Sequence, residues 1–344
     1  MVELNLAVDA GGTYTRLKAE ILKSNDKVIL SKEFKQKINS PRNLKNFILA
    51  SLNEIKPGIK PTTCVIGFAG AVINHYEVEV NNWLGKPLIS LDDLIKWGCP
   101  EFRTMIVNDM ELAAYGILDM EDKGELNSDL SLQIYTPDTP ARNRLNNKLV
   151  VAPGTGFGTA SILEFVTHAG IRVKDVLSSE IQHIQLPALD KRHAEILKNM
   201  LSERPNGNYL SYEDLVSGKG LRDTFNTILK LTGKKQNKEI EASDIALMAA
   251  QGSDEYAIEA LDIFYRCAGR LIQAMALMAQ PFNGIYLCGA STINNTKFIQ
   301  QSNFVKELHN CSLRKKLLSQ FPIYLISKPD INITGGLWAG RNIL

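Results

Sequence analysis

Two kinds of residue in this sequence could do chemistry: acids at the ends of strand-like runs, and turns rich in glycine and threonine. Asp109 closes the run "TMIVND" and opens the helical pattern "MELAAYGIL", with Asn108 beside it. A carboxylate at such a junction can accept a proton from a hydroxyl within hydrogen-bond reach. It can equally cap the helix that follows. Glu180 and His183 stand three apart in "SSEIQHIQL". A carboxylate and an imidazole can hold hydroxyl groups by directional hydrogen bonds, or pair with each other on a surface.

The turns come as an ordered set. "VDAGGTYTR" at 8–16 follows the apolar run "LNLAV", and "RLKAEIL" after it reads as a second strand. Neither the G-x-G-x-x-G fingerprint nor the GK[ST] of a P-loop is present there. A glycine hairpin can reach positive φ and bring backbone N–H groups close to an anion. Thr13 would add a hydroxyl donor, and Asp9 could hold a magnesium ion through water. An ordinary tight turn with Asp9 as a turn residue explains the same letters. "PGTGFGT" at 153–159 repeats the pattern between two further strand-like runs, and "LCGAST" at 287–292 adds a third glycine-bearing turn. Two such hairpins can hold one nucleotide from both sides, with the third near its adenosine.

The elements that must position these residues alternate. "LNLAVDA", "RLKAEIL" and "KVILSKEF" read as strands, and "RNLKNFILASLNEI" places Leu44, Phe47, Ile48, Leu52 and Ile55 on one helical face. "TTCVIGFAGAV", "YEVEVNNW" and "TMIVND" read as strands. "SLDDLIKWG" reads as a short helix capped by Ser90, with Asp93 completing a capping box. The stretch 119–147 is polar and turn-rich, expected as a connection between domains or a surface excursion. Further on, Ile258, Leu261, Phe264, Tyr265, Ala268, Leu271, Ile272 and Met275 trace one stripe of a long core helix. "GIYLCGAST" and "IYLIS" are late strands, and "TGGLWAGRNIL" is a closing helix. Each half opens with strand, glycine turn and strand, which points to a duplicated α/β architecture with a cleft for ligands.

Length and composition exclude several classes. The 344 residues suit two domains, and 44% hydrophobic with 22% charged residues describe a globular chain. Thirty-nine basic against 37 acidic side chains, a net charge of +2, give no reason to expect nucleic acid or an anionic membrane as partner. The basic clusters "GKKQNK" and "LRKK" read as solvated faces. Cys64, Cys99, Cys267, Cys288 and Cys311 are too scattered for a zinc site or a disulfide framework. Glu3 and Asp9 interrupt the first apolar stretch, so no signal peptide is expected, and no run approaches a membrane span of about 20 apolar residues. A cytoplasmic protein is the expectation. His75, His168, His193 and His309 fall in no metal-ligand spacing and receive no role.

"DAGGTYTR", "VNDMELAA", "PGTGFG", "SEIQH", "SYEDLVSG" and "TGGLWAG" occur in an order and spacing that resembles the bacterial glucokinase family, over nearly the whole chain. The resemblance implies a two-domain actin-like ATPase (ribonuclease H-like) fold with the active site in the interdomain cleft. It implies a small domain of 1–109 plus 327–344 and a large domain of 110–326. The related zinc-containing repressor and kinase group is set apart by its clustered cysteines, which this sequence lacks. The implied activity is ATP-dependent phosphorylation of D-glucose to glucose 6-phosphate, the entry step of glycolysis, with ATP and Mg²⁺ and a homodimeric, cytoplasmic enzyme. Asp109 resembles the catalytic base; Asn108, Asp109, Glu180, His183 and Glu213 resemble the sugar ligands. Val8, Asp9, Ala10, Gly11, Gly12 and Thr13, with Gly154, Thr155, Gly156, Gly158 and Gly289, resemble the nucleotide-binding set, and Asp9 the magnesium contact. "VNNWLGK", with Asn81, Asn82 and Trp83, resembles a segment near the sugar. The sequence departs from the family pattern at Ile181–Gln182, usually two glycines, at Tyr14, usually asparagine, and at Ala290–Ser291, usually glycines. The first departure bears on sugar preference and leaves another hexose or an amino sugar as acceptor. A sugar-sensing protein without turnover is the reading from a different class.

Overall fold

The structure is a computed structural model that describes residues 2–11, 14–23, 27–81, 83–138, 146–204, 209–234 and 239–344. Gly12, Thr13 and Asn82 lie outside the described residues. The chain divides into two compact units, Met1–Ser128 with Asp330–Leu344, and Asp129–Pro329.

The first unit begins with the three expected strands, β1 (Val2–Ala10), β2 (Thr15–Lys23) and β3 (Val28–Gln36), followed by helix α1 (Pro41–Ile55). Leu44, Phe47, Ile48 and Leu52 bury the predicted face of α1. Then come β4 (Thr63–Phe68) and a small sheet of β5 (Val72–Ile73), β6 (Glu77–Glu79) and β7 (Leu88–Ser90). Helix α2 (Leu91–Lys96) carries the expected Ser90–Asp93 capping box. Strand β8 (Thr104–Asn108) runs directly into α3 (Asp109–Asp122). The main sheet has the order β3-β2-β1-β4-β8, antiparallel over its first three strands and parallel over its last three.

The second unit opens with β9 (Ser131–Tyr135), β10 (Lys148–Pro153), β11 (Phe157–Val166) and β12 (Arg172–Ser179). Helices α4 (Lys191–Ser202), α5 (Tyr212–Leu215), α6 (Gly218–Leu231), α7 (Ala242–Gln251) and α8 (Glu255–Ala279) follow. β13 (Ile285–Leu287), α9 (Ala290–Asn294), α10 (Thr296–Gln301), α11 (Phe304–Leu308), α12 (Lys315–Leu318) and β14 (Ile323–Ile326) complete it. Its sheet has the order β12-β11-β10-β13-β14-β9. Leaving out β9, both sheets place their strands, taken in chain order, as third, second, first, fourth, fifth. The duplication suggested by two strand–turn–strand openings is therefore a duplication of topology.

Three expectations change. The turn-rich stretch after α3 contains β9, which pairs antiparallel with β14 and forms an edge of the second sheet. Ile258 is 38% exposed, whereas Leu261, Phe264, Tyr265, Ala268, Leu271, Ile272 and Met275 are buried, so the stripe of α8 is one turn shorter than its letters. The first unit runs on to Ser128, past the expected break after Asp109, because α3 packs against α13 (Ile331–Asn342). That crossing is very close: a Cβ on Gly335 would lie 1.9 Å from the Leu112 carbonyl oxygen and 2.5 Å from the Gly116 nitrogen. Gly335 of "TGGLWAG" is there for backbone proximity, while Gly336 and Gly340 make room for the side chains of Ala7 and Thr63.

Candidate functional site

In the first unit the parallel strands β1, β4 and β8 end together. Ala10 pairs with Phe68, and Phe68 with Asn108, so Asp9 and Gly11 end one strand while Asn108 and Asp109 end another, two strands or roughly 10 Å away. Ligands in such sheets gather at the carboxyl ends of parallel strands. Val8 and Ala10 are buried in the core. Asp9 is half-buried, and Asn332 on α13 donates to its Oδ1 at 3.4 Å. Burial raises the Asp9 pKa above its ordinary value, against the Asn332 hydrogen bond and the Arg16 guanidinium, which lower it. A carboxyl in such surroundings gains from a cation beside it.

The helix cap is Asn108, not Asp109. Asn108 Oδ1 accepts from the Met110 backbone N–H at 2.8 Å, and its Nδ2 donates to the Gly70 carbonyl at 2.8 Å. Asp109 is the first helical residue and half-buried, where the helix dipole stabilises its anion. The neighbourhood includes Asn81, whose amide nitrogen would lie 3.7 Å from a Cβ on Gly70. Trp83 of the same segment is buried edge-on against Phe68, a core role.

In the second unit the turn Gly154–Gly156 closes the β10–β11 hairpin, with Gly154 N–H donating to the Gly156 carbonyl at 2.8 Å. A glycine hairpin permits positive φ, but Gly11, Gly154, Gly156 and Gly158 all lie outside the left-handed region. The turn glycines make room instead. A Cβ on Gly156 would meet the Glu213 carboxylate at 3.4 Å, and one on Gly154 would meet the Ser291 hydroxyl at 3.2 Å. Gly158 lies within β11 opposite Ala152, and Thr155 is exposed. The Thr155 carbonyl accepts from Gly218 at the start of α6. Gly289, at φ 97°, bends the chain from β13 into α9. There the buried Thr292 hydroxyl reaches the carbonyls of Pro153 and Cys288, at 3.3 and 3.0 Å. The second and third glycine turns are thus adjacent, at the ends of the parallel strands β10 and β13.

Glu180 precedes a single 3-10 turn, Ile181–His183, that His183 ends, and His183 Nε2 lies 3.3 Å from Glu180 Oε2. Just beyond, the backbone pairs Leu186 with Leu210 and Ile184 with Tyr212, and Gln185 bridges to Ser211. That ladder carries α5, capped by Ser211 and Asp214, and with it Glu213. One unit therefore draws together the Glu180–His183 turn, Glu213 and the glycine turns. Sequence reasoning missed Asn332, which has no signal in residue type or spacing of the carboxyl it reaches. Among the described residues no three His, Cys, Asp or Glu side chains could jointly hold a metal ion, and no helix is long and apolar enough to cross a membrane.

A family model described as Glucokinase matches residues 6–342. The glucokinase of Rhizobium etli is 26% identical over 282 residues, which cover 81% of this chain and 76% of that protein. Among solved structures, glucokinase from Balamuthia mandrillaris in complex with glucose is similar with a TM-score of 0.83 at 23% identity, covering 99% of this chain and 94% of that one. A ROK family glucokinase from Streptomyces griseus in complex with glucose and AMPPNP gives a TM-score of 0.59 at 18% identity, covering 98% and 99%. These likenesses show the fold: a mixed α/β, actin-like ATPase architecture with two sheet-containing units.

Proposed function

Because the chain belongs to the glucokinase family, we propose that it transfers the γ-phosphoryl group of ATP to the 6-hydroxyl of D-glucose. The observation that carries this reading is the packing of Glu213 over Gly156, which joins a set of hydroxyl-binding side chains to a turn suited to phosphates. The glucose and AMPPNP, an ATP analogue, held by the Streptomyces griseus relative support the same pair of substrates.

In this mechanism Asp109 accepts the proton of the 6-hydroxyl as that oxygen attacks the γ-phosphorus. ADP leaves in line, and the products are glucose 6-phosphate and ADP. Asn108, Glu180, His183 and Glu213 hold the sugar, and the amide of Asn108 keeps one N–H and a lone pair beyond its cap and tether. Backbone donors of the turns at Gly11 to Thr13 and Gly154 to Gly158 hold the phosphates, and Gly289 lies by the adenosine. Asp9 is the residue that would hold magnesium. A single half-buried carboxylate suits an ion that keeps most of its waters, and the ion supplies neutralisation of phosphate charge. Catalysis on this scheme is positioning and electrostatics. The protein is read as a cytoplasmic homodimer serving the entry step of glycolysis.

The test is a coupled assay with MgATP against glucose, mannose, fructose and N-acetylglucosamine, with Asp109→Asn alongside. Glucose turnover that falls on the order of 10²–10⁴-fold in the variant is the expected result. Turnover on another hexose or an amino sugar keeps the kinase and reassigns its acceptor. Sugar binding without turnover on any of them makes the protein a sensor.

A further inference from the structure

We propose that Gln182 is a positioning residue for Glu180, selecting the carboxylate oxygen left to receive a sugar hydroxyl; the proposal deepens the kinase reading and rests on it. Glu180 and His183 have side chains 46% and 57% exposed, whereas Gln182 between them is only 6% exposed. The turn is pinned from beneath. Ile181 packs against the core of the second unit, Ile181 N–H donates to Ser179 Oγ at 3.2 Å, and His183 N–H donates to the Glu180 carbonyl at 3.1 Å.

Gln182 Nε2 donates to Glu180 Oε2 at 2.8 Å, and His183 Nε2 lies 3.3 Å from the same oxygen. Both neighbours therefore converge on Oε2, and Oε1 of Glu180 has no protein partner among the described residues. The amide can be oriented only this way, because reversing it would set its carbonyl against the carboxylate. Its other end is costly: Gln182 Oε1 is buried and accepts no hydrogen bond among the described residues. An apolar side chain of the same length would fill that space without an unsatisfied acceptor. The polar group is retained because it holds an exposed, rotamer-rich carboxylate in one orientation before the sugar arrives, which lowers the ordering cost of binding.

The experiment uses the full chain as wild type, Gln182→Met and Gln182→Glu. Sugar binding is read by titration calorimetry without nucleotide, and KM, kcat and pH profiles by the coupled assay. Gln182→Met is expected to weaken sugar binding and raise the sugar KM about tenfold, the loss of one hydrogen bond to a charged group, with no drop in melting temperature. Gln182→Glu sets a second carboxylate against Glu180, so the pair shares a proton and the acid limb of kcat/KM moves to higher pH. Unchanged sugar affinity in Gln182→Met overturns the proposal, as does a lowered melting temperature with KM unmoved. If Gln182→Met does not fold, an unshifted pH limb in Gln182→Glu overturns it. A wild type that binds none of the sugars overturns the kinase reading and this role together. One that binds sugar while both variants behave like it overturns this role alone.

Discussion

At the scale of single residues, the two carboxylates of the second unit proposed to hold the sugar, Glu180 and Glu213, are controlled by what lies under them. Gly156 matters because the Glu213 carboxylate rests where its side chain would be. An alanine methyl at 156 would stand in ordinary contact with Glu213, but the branched methyls of valine would occupy the space of its oxygens. Gly156→Ala is therefore expected to keep most of its activity. Gly156→Val is expected to raise the sugar KM at least about tenfold by displacing one charged hydrogen-bonding group. Equal KM values in the two variants would show that Glu213 does not touch the sugar. On the other unit, Asn108 takes the cap and so leaves Asp109 as a helical residue, consistent with its proposed use as the base.

At the scale of elements, the α3–α13 crossing decides whether β8 delivers Asn108 and Asp109 to the sheet end. Gly335→Ala forces a methyl to within 1.9 Å of the Leu112 carbonyl carbon's oxygen, which no rotamer relieves because both atoms belong to or are fixed by backbone. The helices must separate, and overpacking of this kind costs about 1–3 kcal/mol or more. A chemical denaturation series should show the Gly335→Ala variant losing at least that much. A variant as stable as the parent would mean that the crossing of the two helices accommodates a methyl group without loss of packing. Asn332, which reaches Asp9, lies on the same α13, so loosening the crossing should weaken nucleotide binding as well.

At the scale of the whole molecule, acid sensitivity has an identifiable source in the second unit. His193 on α4 is buried, accepting at Nδ1 from the Leu189 N–H at 3.1 Å, beside Asp190, Cys267, Arg266 and Glu307. Burial depresses its pKa from 6.5 to about 4, with Asp190 the main opposing charge. Between those two values the unfolded chain binds a proton that the folded chain refuses. Stability contributed by the neutral ring is present above pH 6.5 and is lost as the pH falls toward 4, on the order of 3 kcal/mol in all. Denaturation midpoints taken from pH 7 down to 4.5 should fall more steeply for the parent than for His193→Gln. Parallel slopes would remove His193 from the account.

The readings that came from sequence alone are those with a local cause. Strand, turn and strand at each opening, the amphipathic face of α1 and the Ser90–Asp93 box follow from periodicity, capping chemistry and short motifs within one stretch of chain. What the tertiary structure decided concerns pairs far apart in sequence. Ser131–Tyr135 is a strand because β14 offers it an edge, and five letters inside a polar, turn-rich stretch do not name that partner nearly 200 positions on. Gly154 and Gly156 are explained by Ser291 and Glu213, not by φ. Asn332 reaches Asp9 across 323 positions, and Gln182 turns inward while its neighbours face water. Close approach and burial belong to two segments at once, so no single stretch of letters can encode them.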